Sequence, residues 1–254
     1  MIDRPLHLLH TRPSPAHLAA WATRHGLLQA QGDLGYALHA LLHTVFGDDA
    51  PRPFSYIDAE YGLLAYTRLS SSDIASRVAD ADPDAVAALG LLAPASHRCW
   101  RIRPFPTVWP AGHVLGFEVR VRPVVREGKS GKERDVFLKQ VEATRTSIDR
   151  EAAYGDWLRM QIGVPGSGSR EPWQGGAEII DVRMTRFRLL EVMRQTQRTV
   201  STATRRRCRV SGPEAVLAGR IRVVDPPAFA RLIARGVGRH RSFGFGMLLL
   251  RPAA

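Results

Sequence analysis

The stretch Gly236-Val237-Gly238-Arg239-His240-Arg241-Ser242-Phe243-Gly244-Phe245-Gly246 decides how the chain is read. Two Gly-x-Gly units bracket a basic tract. Upstream, residues 227–235 have the spacing of one short amphipathic helix, and downstream Met247-Leu248-Leu249-Leu250 reads as a final strand. The loop therefore joins a helix to a strand. Glycine tolerates positive φ and lets the backbone approach a ligand closely. Arg239, His240 and Arg241 would then lie among exposed N–H groups, which suits a phosphate chain. A P-loop and a dinucleotide fingerprint both run from strand to helix, and the former needs Gly-Lys-Ser/Thr. Here the order is reversed and no Lys-Ser/Thr follows. The same residues also read as a glycine-rich turn with a helix C-cap at Gly236.

Outward from the loop, residues 215–224 read as a strand and residues 177–184, extended by 187–192, as another. The basic run Arg205-Arg206-Arg207-Cys208-Arg209 falls in the hairpin between them. Residues 148–163 read as a helix. In the first half, a strand over 6–10 is followed by a helix over 15–24, with Ser14 as cap and Pro15 in its first turn. A second helix, capped by Asp33, covers 34–46. A hairpin over 54–58 and 63–69, turning at Glu60-Tyr61-Gly62, comes next. Two short helices follow, one from Ser72 or Asp73 and one from Asp82-Pro83-Asp84, and then strands over 98–103 and 114–122. The polar, glycine-containing run 126–134 reads as an exposed connection. Each half thus gives strand, helix, hairpin, helix, strand. The expectation is an α+β chain of tandem ferredoxin-like βαββαβ domains: an N-terminal domain over 1–125, a basic connection over 126–148 and a C-terminal domain over 149–254.

The formal net charge is +12 over 254 residues, with 36 Lys and Arg against 24 Asp and Glu. Only Lys129, Lys132 and Lys139 are lysines. A GC-rich coding bias explains arginine over lysine but not the excess over acids. The excess points to a polyanionic partner, nucleic acid first. Cys99 and Cys208 are the only cysteines, with no Cys-x-x-Cys and no His-Glu-x-x-His. That argues against a zinc site and fits a reducing compartment. With no run of membrane-span length and no signal-peptide core, cytoplasm is the expected location.

The helix over 34–46 is the most informative segment of the first half. Leu34, Leu38, Leu41, Leu42 and Val45 form an apolar stripe. At about 100° per residue, Tyr36, His39 and His43 share the opposite face. A histidine that only fills core space would lie on the stripe. An ordinary solvated face remains the alternative.

Together these features resemble the CasE family, the CRISPR repeat-processing endoribonuclease of Cascade-type (type I-E) systems. The glycine loop is similar to the glycine-rich signature of the repeat-associated RNA-binding proteins of CRISPR systems, and Gly35 to Gly47 is similar to the Tyr-x-x-His helix of the CasE family. Phe117-Glu118-Val119-Arg120-Val121-Arg122-Pro123 with the Gly128-Lys129 turn, and Tyr154-Gly155-Asp156-Trp157-Leu158-Arg159, are supporting matches. The resemblance implies metal-independent cleavage of the repeat hairpin in precursor CRISPR RNA. The 2′-hydroxyl attacks its neighbouring phosphate, leaving a 2′,3′-cyclic phosphate (or 3′-phosphate) and a 5′-hydroxyl, with no cofactor. It implies His39 as general acid or base and Tyr36 as its partner, with His43 and His240 in reserve. RNA binding is expected from Gly236, Gly238, Arg239, His240, Arg241, Ser242, Gly244 and Gly246, from Arg205, Arg206, Arg207 and Arg209, and from Lys129 and Lys132. The implied partners are the repeat RNA, retained as mature guide RNA, and the other Cascade subunits. A noncatalytic RNA-binding subunit of such an assembly, and a phosphate-metabolite enzyme using the glycine loop, are the competing readings.

Overall fold

The computed structural model describes residues 4–28, 33–92, 100–127, 132–144, 147–163, 175–195 and 207–253; of 193–195 and 207–209 it describes the backbone alone. In chain order the elements begin with β1 (His7–Thr11), α1 (Pro15–Arg24), α2 (Gly35–Phe46), β2 (Phe54–Tyr56), β3 (Leu63–Thr67), α3 (Ser71–Asp80), α4 (Pro83–Ala88) and β4 (Trp100–Pro104). They continue with β5 (Val114–Val121), β6 (Val124–Glu127), β7 (Lys132–Asp135), α5 (Val136–Thr144), α6 (Arg150–Ile162), β8 (Ala177–Gln195), β9 (Arg207–Val223), α7 (Pro226–Arg235) and β10 (Leu248–Pro252).

Two four-stranded antiparallel sheets result, ordered β2-β3-β1-β4 and β10-β5-β9-β8. Numbered within each half, both orders read 4-1-3-2, the ferredoxin-like order. The local signals behind the helices are explicit. Ser70 and Asp73 form a reciprocal capping box at α3. Asp225 accepts from the Ala228 N–H at 3.0 Å and caps α7 behind Pro226 and Pro227. Ser14 precedes α1 as expected but makes no side-chain cap bond; its hydroxyl meets His17 instead, at 3.0 Å.

Two sequence expectations are corrected. Sequence order puts the strand over 114–122 with the first half, yet β5 pairs with β9 and β10 and is the first strand of the second sheet. Its alternation, with Leu115, Phe117, Val119 and Val121 buried, shows that one face is covered but not by which half. The run 126–134 is not a bare connection either. Its described residues are arms of the hairpin β6–β7, with Arg126 opposite Glu133 and Arg134 bonded to Glu127 at 2.9 Å. Cross-strand pairs of opposite charge stabilise a two-stranded ribbon while looking like linker in composition.

The second sheet packs Phe117, Val119, Leu217 and Ile221 on α6 and α7 through Tyr154, Trp157, Leu158, Phe229 and Leu232. Leu6, Leu8 and Tyr66 of the first half belong to this same cluster. Leu9 points the other way, into the core under α2 with Leu38, Leu41, Leu42 and Val45. The first sheet is therefore buried on one face by its own helices and on the other by the second half. The Tyr66 hydroxyl completes the joint, donating to the Leu248 carbonyl at 3.0 Å. Among the described residues no helix is long and apolar enough to cross a membrane.

Candidate active site

Helix α2 buries Leu38, Leu41, Leu42 and Val45 as its spacing requires. The face bearing Tyr36, His39 and His43 is not solvated. Tyr36 is buried, and His39 and His43 are half-buried. What covers them is the glycine-rich loop of the second half. Its short 3-10 turn, Arg241–Phe243, lays Phe243 against α2. The Phe243 ring stacks on Tyr36 with centroids 5.8 Å apart and planes 8° apart, and meets His39 edge-on at 4.7 Å. His43 lies beyond, its ring 4.6 Å from that of His39.

Gly35 permits this docking. A Cβ there would stand 2.4 Å from the Phe243 carbonyl oxygen. Helix α2 begins without a side-chain cap, one residue later than its sequence suggests. Asp33 instead accepts from the Gly35 N–H at 3.3 Å and faces Arg120 of β5 at 3.6 Å. Arg120 donates to Glu214 at 2.7 Å and lies over the Phe245 ring at 4.3 Å. Glu214 also takes Arg188 at 3.0 Å. Burial works against ionising Glu214, but the hydrogen bonds and charges of Arg120 and Arg188 outweigh it and hold the carboxyl below its usual range. Burial raises that of Asp33, against the pull of Arg120. A buried charge network ties the start of α2 to the second sheet.

Backbone geometry shapes the loop. Gly236, Gly238, Gly244 and Gly246 all have positive φ, as does His240 at 62°. The Val237 N–H donates to the Gly246 carbonyl at 2.8 Å, and the Gly246 N–H to the Arg120 carbonyl at 2.7 Å. A side chain at 246 would drive into the Val237 carbonyl, and one at 238 into Trp157 of α6. Two φ-positive glycines at each end let the loop close on itself and reach back to α2.

The structure redistributes the expected basic tract. His240 is almost wholly enclosed, with Nε2 2.8 Å from Glu133 Oε2, and Arg239 Nε donates to Glu133 Oε1 at 2.8 Å. His240 is thus an internal brace on β7 rather than part of an exposed cradle. Arg241 is half-buried and donates to the Arg235 carbonyl at 3.3 Å. Ser242 is half-buried beside it, and Lys132 is exposed at the start of β7. Arg207 and Arg209 lie on the outer part of the β8–β9 hairpin, opposite Gln195 and Met193. Their side chains, together with Arg205, Arg206 and Lys129, lie outside the described residues.

Burial is the largest influence on His39, followed by His43 and the Arg52 charge; together they push its imidazole down to about 4. His39 is therefore neutral at physiological pH, with its acceptor nitrogen unprotonated, although the same burial makes it a weaker base than a free imidazole. Arg241 is lowered by burial, then by Arg52 and Arg239, and Arg235 by burial and then Arg241. Of these guanidinium groups, Arg52 is the one that acts on both the imidazole and Arg241. Sequence reading missed Arg52, Phe243, Glu133 and the Arg120–Glu214 pair. Phe243 had a signal, an aromatic between a basic tract and a Gly-x-Gly. So had Glu214, the sole acid among Pro213, Ala215, Val216 and Leu217.

Solved structures share this architecture. Thermus thermophilus Cse3 bound to an RNA representing a pre-cleavage complex matches with a TM-score of 0.61 at 18% identity, over 98% of this chain and 100% of that one. The CRISPR endoribonuclease Cse3 bound to a 19 nt RNA matches at 0.59 and 18%, over 98% and 100%. A CRISPR-associated protein from Thermus thermophilus matches at 0.51 and 16%, over 97% and 99%. At such identities the likeness establishes the tandem ferredoxin-like fold. No curated protein sequence matches the chain. The model of the CRISPR associated protein family matches residues 6–252, nearly the whole sequence, and the chain belongs to that family.

Proposed function

We propose that the protein is an endoribonuclease that cuts precursor CRISPR RNA at the repeat hairpin and keeps the mature guide RNA as a Cascade subunit in the cytoplasm. The observation that carries this reading is the seam where Tyr36 and His39 of one half meet the glycine-rich loop of the other, with His39 held neutral. Two structural relatives, Cse3 proteins of the same fold, are bound to RNA, and one of them is called an endoribonuclease. The division between halves runs through 105–113, ahead of β5.

The reaction needs a proton acceptor at the 2′-hydroxyl, a proton donor at the departing 5′-oxygen and stabilisation of charge on phosphorus. Neutral His39 suits the acceptor role. The new bond joins O2′ to phosphorus as the bond to O5′ breaks. Tyr36, one turn away on the same face, hands a proton to O5′ or steadies the phosphate. Lys132 and the loop supply RNA surface, and the basic run Arg205, Arg206, Arg207 and Arg209 is our candidate for reading a stem end, since the deep A-form major groove is closed to side chains.

The test is incubation of the purified protein with a hairpin RNA copied from the host's own repeat, in EDTA. One cut, leaving a cyclic phosphate and a 5′-hydroxyl, is the expected result. Salt-sensitive binding with no cut favours the noncatalytic-subunit reading. Absence of both, with affinity for a small phosphate compound, favours a metabolite enzyme.

A further inference from the structure

We propose that Arg52 of the first half and Arg241 of the second form a two-sided clamp on the scissile phosphate, closed across the seam beside His39. The proposal rests on the endoribonuclease reading and names a residue, Arg52, that neither motif contains.

Backbone contacts fix the place of Arg52. Its N–H donates to the Tyr66 carbonyl at 2.9 Å, and the Tyr66 N–H donates to the Pro53 carbonyl at 3.1 Å. Pro53 in turn packs on the start of the glycine loop, since a Cβ on Gly236 would stand 2.9 Å from Pro53 Cγ. Arg52 is thereby set at the mouth of the seam with its side chain exposed. Arg241 opens the 3-10 turn whose third residue, Phe243, touches Tyr36 and His39. Arg52 is close enough to act electrostatically on both Arg241 and His39.

The pattern of counter-charges sets these two apart from many of their neighbours. Several cations are given acids by the fold: Arg239 and His240 share Glu133, Arg120 and Arg188 share Glu214, and Arg150 has Asp135. Among the described residues, neither Arg52 nor Arg241 has an ion pair, and the one hydrogen bond of the Arg241 guanidinium goes to a neutral carbonyl. Exposed Arg52 and half-buried Arg241 are like charges that raise one another's energy. An anion entering between them relieves that repulsion, and a phosphate offers paired oxygens to the arginine fork. As the 2′-oxygen adds and the 5′-oxygen leaves, the negative charge on the two non-bridging oxygens grows. Two guanidinium groups carried on a backbone held from both halves stabilise that growth.

The test uses single-turnover cleavage by Arg52→Ala, Arg52→Lys and Arg241→Ala, beside binding of the same RNA carrying one 2′-deoxy nucleotide at the cut position mapped with wild type. Each alanine variant is expected to cut about 10²–10³-fold more slowly, the range for losing one such donor. Its Kd should rise less than tenfold, and the slope of log affinity on log salt should shrink by about 0.7–0.9. Arg52→Lys should recover part of the rate, because charge returns without the fork. Wild-type cutting by Arg52→Ala overturns the clamp, as does loss of binding and cutting by one common factor. If wild type itself does not cut, the endoribonuclease reading falls. The clamp is then judged as a phosphate contact by binding of the unmodified repeat hairpin, and an unchanged salt slope in both alanine variants overturns it.

Discussion

His39 shows how much one position owes to its surroundings. Its ring sits under Phe243, beside His43 and within the field of Arg52, and all three bear on its protonation. A free imidazole titrates near 6.5. In the free protein the His39 ring should instead titrate near 4, visible as a late shift of its carbon-bound ring protons in an NMR titration. A midpoint near 6.5 would contradict the burial described here. The stability linkage follows in sign. The unfolded chain takes up this proton first, so stability falls as pH drops from about 6.5 toward 4 and is indifferent to His39 above that window. Phe243→Ala removes the lid over Tyr36 and His39, and we expect single-turnover cleavage to fall at least tenfold while repeat-RNA affinity changes little. Phe243→Leu, which keeps the bulk but not the stacking, should lie between.

Among elements, α2 and the glycine loop were the most legible in sequence, and each was half read. The stripe of Leu38, Leu41, Leu42 and Val45 announced the buried face of α2, and Tyr36 and His39 announced the other. Periodicity shows only that a face differs from the core stripe. It does not show whether water or another element covers it, and here the cover is 204 residues away, counting from His39 to Phe243. In the loop, the glycines signal positive φ, whereas the basic tract conceals two roles: His240 and Arg239 turn inward to Glu133, and Arg241 bonds the Arg235 carbonyl at the end of α7. Gly35→Ala tests the junction of the two elements. Its methyl would press on the Phe243 carbonyl, so the variant should lose cleavage and some thermal stability together, although alanine is the better helix former. Wild-type melting and cleavage would show that the loop does not dock as described.

At the scale of the whole molecule, the doubled βαββαβ plan was readable from element order, but the allocation of β5 was not. Alternating strands carry no label for the sheet they join, and the charged ribbon β6–β7 looks like a linker when only its composition is considered. The mutual burial of the halves was also invisible. Leu8 and Leu9 are adjacent in sequence and enter different cores. Leu8→Ala should therefore cost about 2–5 kcal/mol. It should also lower one cooperative calorimetric transition for the whole chain rather than that of the first half alone.

The central claim is that an RNA-cutting site is assembled from both halves around His39. The most direct measurement is single-turnover cleavage of the host's repeat hairpin in EDTA by wild type and His39→Ala, with Kd measured on the same RNA. The account predicts one cut by wild type, and for the variant a rate at least 10²-fold lower with Kd within a few-fold. Equal cutting by the two proteins would contradict it and remove His39 from the chemistry.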